Sequence, residues 1–213
     1  LRCRRVVLIR LDAEGIQGWG EAAPVPGHTR EGFEDVWAKV PGTATALAAS
    51  GPTPIPGLLG AAIGQAQADL EAKAVGQPLW RHLGGDQPVW ASAAIGLDAD
   101  DQPNLASLEA AHETGYRYAK LKITDRTTPK SLQRARDLFP QISIALDANE
   151  SLATASRSHM MAIDALGASF LEQPGTATDL AWHAQLRRWL TTPIAVDEAA
   201  ASSESVDRVL RAD

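Results

Sequence analysis

Four charged residues recur at one interval. Lys122, Asp147, Glu172 and Asp197 follow one another at steps of 25 residues, each at or near the end of a short apolar run. An interval of about 25 residues accommodates one strand, one helix and their connections, so it predicts repeated βα units with an equivalent position on each strand. From Pro88 onward the pattern does alternate. Strands are expected near 89–97, 117–123, 142–147, 169–172 and 194–197, and helices near 104–115, 129–138, 152–166, 179–190 and 203–211. Such alternation predicts parallel strands covered by helices, in an open doubly wound sheet or a (β/α)8 barrel. No glycine-rich phosphate-binding fingerprint follows any of these strands, which favours the barrel.

The first ~85 residues read differently, as strands followed by helices. Residues 5–11 are rich in β-branched and aliphatic side chains, Asp12 to Gly15 makes a turn, and Ile16 to Glu21 completes a hairpin. Glu31 to Lys39 and Leu58 to Ala74 are expected to be helices, with the Pro-, Gly- and Thr-rich residues 41–57 as a loop between them. The expectation is therefore an α/β chain with two parts. Residues 1–87 form a smaller N-terminal α+β capping domain, and 88–213 form the first five βα units of a TIM-like (β/α) barrel, incomplete in these 213 residues.

Composition narrows the partners. With 20 Lys and Arg against 26 Asp and Glu, the net charge of −6 offers no basic footprint for nucleic acid or an anionic membrane. No apolar run approaches the ~20 residues that span a bilayer. The 45% hydrophobic content is enough to bury a core, and the single cysteine, Cys3, excludes an intrachain disulfide framework. These features point to a cytoplasmic protein with a small-molecule partner. The six tryptophans are expected in the core and at domain interfaces.

Side chains alternate across a strand, and this places the charged residues. In Ala119-Lys-Leu-Lys-Ile123 the apolar set faces the helices, which turns Lys120 and Lys122 to the barrel interior. The same parity sends Asp147, Asn149, Glu172 and Asp197 inward at the carboxyl ends of their strands, the face where parallel barrels place active sites. Three carboxylates there repel one another unless a cation lies between them, and an all-oxygen set suits Mg2+. Beside such a cation and a second ammonium, Lys122 is expected to have a lowered pKa and to act as a base. A Lewis acid and a lysine base together are the parts for abstracting a proton α to a carboxylate.

Lys120-Leu-Lys122, Asp147-Ala-Asn149, Phe170-Leu-Glu-Gln-Pro174 and Val196-Asp-Glu198, in this order, resemble the enolase superfamily in its muconate-lactonising subgroup. Gly18-Trp-Gly-Glu21 and Pro78 to Gly85 resemble that subgroup's capping domain and domain junction. The stretches 172–186 and 192–198 are most similar to o-succinylbenzoate synthases and N-succinylamino acid racemases. The resemblance implies Asp147, Glu172 and Asp197 as Mg2+ ligands, Lys122 as acid/base, Lys120 as its electrostatic partner, and Asn149 and Glu198 as secondary active-site residues. His28, in the capping loop, is a candidate substrate contact, whereas His183 is expected to pack or cap.

The implied activity is o-succinylbenzoate synthase-type dehydration of a small-molecule carboxylate, which would belong to menaquinone biosynthesis. A racemase, epimerase or cycloisomerase of the same superfamily is the alternative, and a non-catalytic truncated barrel is the alternative of another class. The family's second lysine, on the sixth barrel strand, is expected beyond Asp213, so a longer polypeptide or a second chain, as in a homo-oligomer, would complete the barrel.

Overall fold

The computed structural model describes residues 3–27, 29–50, 55–87 and 89–212. The chain divides into two compact units, Leu1–Pro88 and Val89–Asp213.

In the first unit β1 (Val7–Ala13) and β2 (Ile16–Ala22) form an antiparallel hairpin with Val7 opposite Ala22 and Ala13 opposite Ile16. Glu14 and Gly15 make the turn with left-handed backbone, as a two-residue hairpin loop requires. Helix α1 (Phe33–Ser50) and helix α2 (Gly57–Ala74) follow. Alternate residues of β2 are small because α2 lies directly against it: a Cβ at Gly18 or Gly20 would run into the carbonyl oxygens of Ala66 and Ala62. Val7, Ala22, Val36, Leu59, Ala62 and Ile63 form this unit's core. The short helix α3 (Leu79–His82) ends the unit.

Helix α1 corrects the expected loop at 41–57. It continues through Pro41 to Ser50, although proline removes a backbone donor in a helix interior. The run from Ala44 to Ala49 is dominated by alanine, the strongest helix former, and Val36 and Val40 dock the helix on the unit's core. Burial of that face outweighs one lost hydrogen bond.

The second unit is a parallel sheet of five strands in the sequential order β3 (Ser92–Ile95), β4 (Tyr118–Lys122), β5 (Ser143–Asp147), β6 (Leu171–Glu172) and β7 (Ile194–Ala195). Between and after them run α4 (Leu105–Glu113), α5 (Pro129–Leu138), α6 (Arg157–Asp164), α7 (Leu180–Trp189) and α8 (Ser203–Arg211). The strands are shorter than expected at their ends. Helix α6 begins at Arg157 rather than near 152, because Ser156 caps it through the His159 N–H. Side-chain caps also start α4 (Asn104), α5 (Thr128), α7 (Asp179) and α8 (Ser202), so each helix start is written in a local Ser, Thr, Asn or Asp.

Ala119, Leu121 and Ile123 of the β4 segment are buried against the helices with Ile144, Leu146, Leu171, Leu108, Met160 and Leu186. Trp182 and Trp189 pack on this core. Trp19, Trp37, Trp80 and Trp90 are exposed, which corrects the expectation of core burial for them. Among the described residues no helix is long and apolar enough to cross a membrane.

Candidate active site

Register places the candidate residues. Lys122 pairs with Asp147, and Asp147 with Glu172, so a lysine and two carboxylates form one row across β4, β5 and β6 at their carboxyl ends. Glu172 in turn faces Ala195 on β7. Asp197 therefore stands two residues beyond the row that its 25-residue spacing suggests. It shares the parity of the row but sits one pleat further out, and it is exposed.

Asp147 is the buried centre of the site, with 1% of its side chain exposed. Its Oδ2 accepts from Lys122 Nζ at 2.7 Å and lies 3.0 Å from Lys120 Nζ. Lys120 Nζ also donates to Glu172 Oε1 at 2.7 Å, so one ammonium bridges two carboxylates of neighbouring strands. Burial pushes the Asp147 carboxyl up, but the ammonium groups of Lys122 and Lys120 outweigh it and hold the group below the usual aspartate range. Burial likewise pushes Lys120 down, and the bonds to Glu172 and Asp147 more than reverse this, leaving its pKa raised. Lys120 is thus a fixed cation.

Lys122 has a second partner, since its ammonium also donates to Asn149 Oδ1. Asn149 passes the contact on, its Nδ2 donating to Glu198 Oε1 at 2.9 Å. The backbone is left-handed at Asn149 (φ 40°), Glu150 (φ 69°) and Gln173 (φ 41°), an uncommon conformation for such residues that clusters where β5 and β6 end. Glu150 is held there by its carboxylate, which accepts the Ala177 N–H at 2.6 Å. Glu198 Oε2 is buried and has no hydrogen-bond partner. His28 lies outside the described residues. His183 is buried on α7.

The structure thus brings Lys120, Lys122, Asp147, Glu172, Asn149 and Glu198 into one connected set and leaves the Asp197 carboxylate outside it. No three His, Cys, Asp or Glu side chains among the described residues form a metal-binding group. The donors nonetheless match a hard cation in chemistry. Asp147, Glu172 and Asp197 offer only carboxylate oxygens at the ends of adjacent strands, and the Glu198 oxygen is an acceptor without a donor. Lys120 now gives the two row carboxylates the compensation that a cation would give.

A parallel βα sheet with lysines on one strand and carboxylates on the next two, at their carboxyl ends, defines a class, the βα-barrel folds whose sites lie at that face. Residues 105–213 match the family described as Enolase C-terminal domain-like, and the chain belongs to that family within the enolase superfamily. It is 31% identical to an N-succinylamino acid racemase of Thermus thermophilus over 97% of this chain and 60% of the relative. It is also 31% identical to an o-succinylbenzoate synthase of Geobacillus kaustophilus, over 94% of this chain and 58% of the relative. The chain therefore spans about three fifths of the length of these enzymes. Among solved structures, an L-Ala-D/L-Glu epimerase aligns with a TM-score of 0.81 at 26% identity, covering 98% of this chain and 67% of its own. A probable mandelate racemase from Alicyclobacillus acidocaldarius aligns at 0.80 and 31%, covering 98% and 61%.

Proposed function

We propose that this protein abstracts a proton α to a carboxylate by o-succinylbenzoate synthase-type chemistry, with Mg2+ as cofactor. The observation that carries this reading is the row of Lys122, Asp147 and Glu172 in register, with Lys120 bridging the two carboxylates. Lys122, as the free amine, takes the α-proton, and the C–H electron pair passes into the carboxylate as an enediolate. Lys120 balances the added negative charge. The enediolate electrons then form the new C=C bond as the β-hydroxide leaves, and Lys122 returns its proton to that hydroxide, releasing water. Asn149, bonded to Lys122 and Glu198, orients the Lys122 side chain.

Asp147, Glu172 and Asp197 would hold Mg2+. When bound, the cation supplies Lewis-acid stabilisation of the carboxylate oxygens on which charge develops. Holding it requires Lys120 to yield the two row carboxylates.

The Thermus thermophilus relative favours a second reading, a racemase of N-succinylamino acids, in which a second acid must deliver the proton from the opposite face. One experiment separates the readings. Turnover of 2-succinyl-6-hydroxy-2,4-cyclohexadiene-1-carboxylate by the full-length protein should require Mg2+ and be lost in Lys122→Ala. No turnover, but α-proton exchange on N-succinylamino acids in D2O, moves the assignment to the racemase. Absence of both, with intact fold, rejects both readings and supports a non-catalytic barrel.

A further inference from the structure

Gln173, next to Glu172, carries no role in the sequence reading, yet the ends of three strands meet on it. It is completely buried. Its backbone N–H donates to Ala195 O at 2.9 Å, and its carbonyl accepts the Glu150 N–H at 2.8 Å. All four hydrogen-bonding positions of its side-chain amide are used. Oε1 accepts the backbone N–H groups of Asp197 at 2.9 Å and Ala199 at 3.2 Å. Nε2 donates to Gly175 O at 2.9 Å and faces His183 Nε2 at 3.4 Å.

Gly175 O, which can only accept, and the Asp197 and Ala199 N–H groups fix which way that amide points, and His183 supports it. The His183 Nδ1 lies 2.8 Å from Asp179 O, a carbonyl that can only accept, so Nδ1 carries a hydrogen and Nε2 is left to accept from the Gln173 amide. With Nε2 on the NH2 side of Gln173, the ring is matched to an oxygen that faces Asp197 and Ala199. The reverse orientation would set NH2 against two N–H donors in a buried place.

Asn149 Nδ2 also reaches the segment 197–199, through Glu198 Oε1 at 2.9 Å, and Ala199 is buried. Strand β7 ends at Ala195, and Asp197 enters a single turn of 3-10 helix, Glu198–Ala200, with no side-chain cap of its own. We infer that Gln173, supported by His183, is a positioning residue that fixes the backbone at Asp197 and thereby sets the affinity of the three-carboxylate site for Mg2+, without touching cation or substrate. The inference rests on the proposed reading of Asp147, Glu172 and Asp197 as the cation-binding set.

The test compares the full-length wild type with Gln173→Leu, His183→Leu, His183→Gln and, as a buried control on α4 away from the site, Leu108→Ala. Mn2+ binding is followed by the spectroscopic signal of the free ion and by Mg2+ competition, and amide hydrogen exchange is followed over residues 196–200. Gln173→Leu should weaken Mn2+ binding at least tenfold and speed exchange of the Asp197 and Ala199 amides at least tenfold. His183→Leu should shift both the same way. His183→Gln, which can return an acceptor to Gln173, should restore both toward wild type, and Leu108→Ala should lower Tm while moving neither. Faster exchange with unchanged Mn2+ affinity, or unchanged exchange, in Gln173→Leu overturns the inference. A wild type that binds no Mn2+ overturns the cation-site reading itself, and the inference with it.

Discussion

At the scale of single residues, the site is a problem in charge compensation. Asp147 is nearly inaccessible to water, and a buried carboxylate persists as an anion only when paired and hydrogen-bonded. Two ammonium groups within 3.0 Å supply that pairing, and both come from β4 because its alternation turns Lys120 and Lys122 to one face. Removing the shared partner should be felt by all three. Asp147→Ala should lower the unfolding free energy by about 2 kcal/mol, below the ~3–5 kcal/mol of a fully buried broken pair because both lysines are partly solvated; urea denaturation checks it. Lys122 carries a different expectation. Lys122→Ala should slow α-proton exchange about a thousandfold, within the range of a lost general base, with little loss of stability because Lys120 still neutralises Asp147.

At the scale of elements, two devices hold the strands at the right height. Asp164, at the end of α6, accepts the backbone N–H groups of Thr191 and Thr192 and the Thr191 hydroxyl, so one carboxylate anchors the entry to β7. Burial pushes its pKa up, but the Thr192 and Thr191 backbone bonds, aided by the Thr191 hydroxyl, hold it below the usual aspartate range. A depressed folded-state pKa contributes stability that is present above the unfolded value and lost as pH falls through the folded one. Thermal unfolding of wild type should therefore lose this contribution below about pH 4, whereas Asp164→Asn should be less stable at neutral pH and flatter through that acid range. The other device is close approach. Gly20→Ala should cost about 2 kcal/mol, the strain of an extra methyl group against the α2 backbone, measurable as a lower denaturation midpoint.

At the scale of the whole molecule, each unit has, among the described residues, its own apolar core. A unit with its own core can lose stability by itself. In hydrogen exchange, Gly20→Ala should therefore reduce protection in β1, β2 and α2 while leaving Leu121 and Leu146 amides as protected as in wild type. Equal loss in both units would show one cooperative structure.

Much of this was legible in the chain. Strand-helix alternation gave every βα unit after Pro88, since each strand is a short apolar run and each helix start carries a Ser, Thr, Asn or Asp cap. The inward parity of Lys120, Lys122, Asp147 and Glu172 followed from period-two alternation alone. Two features were not legible. Pro41 and Gly42 mark a loop by local chemistry, and only the packing of Val36 and Val40 on the hairpin overrides it. The equal spacing of Asp197 suggested a place level with Glu172, but a loop can absorb residues without changing the sequence interval, and register is settled by which strand residues pair.

The sequence by itself therefore determined which side chains face the interior and in what order their strands come, because alternation and capping are local properties. Only the tertiary structure decided the height of each side chain, the bridging of Asp147 and Glu172 by Lys120, and the hold of Gln173 on the Asp197 segment. Those depend on pairing between strands and on buried hydrogen bonds between residues 24 to 52 positions apart, which no local pattern encodes.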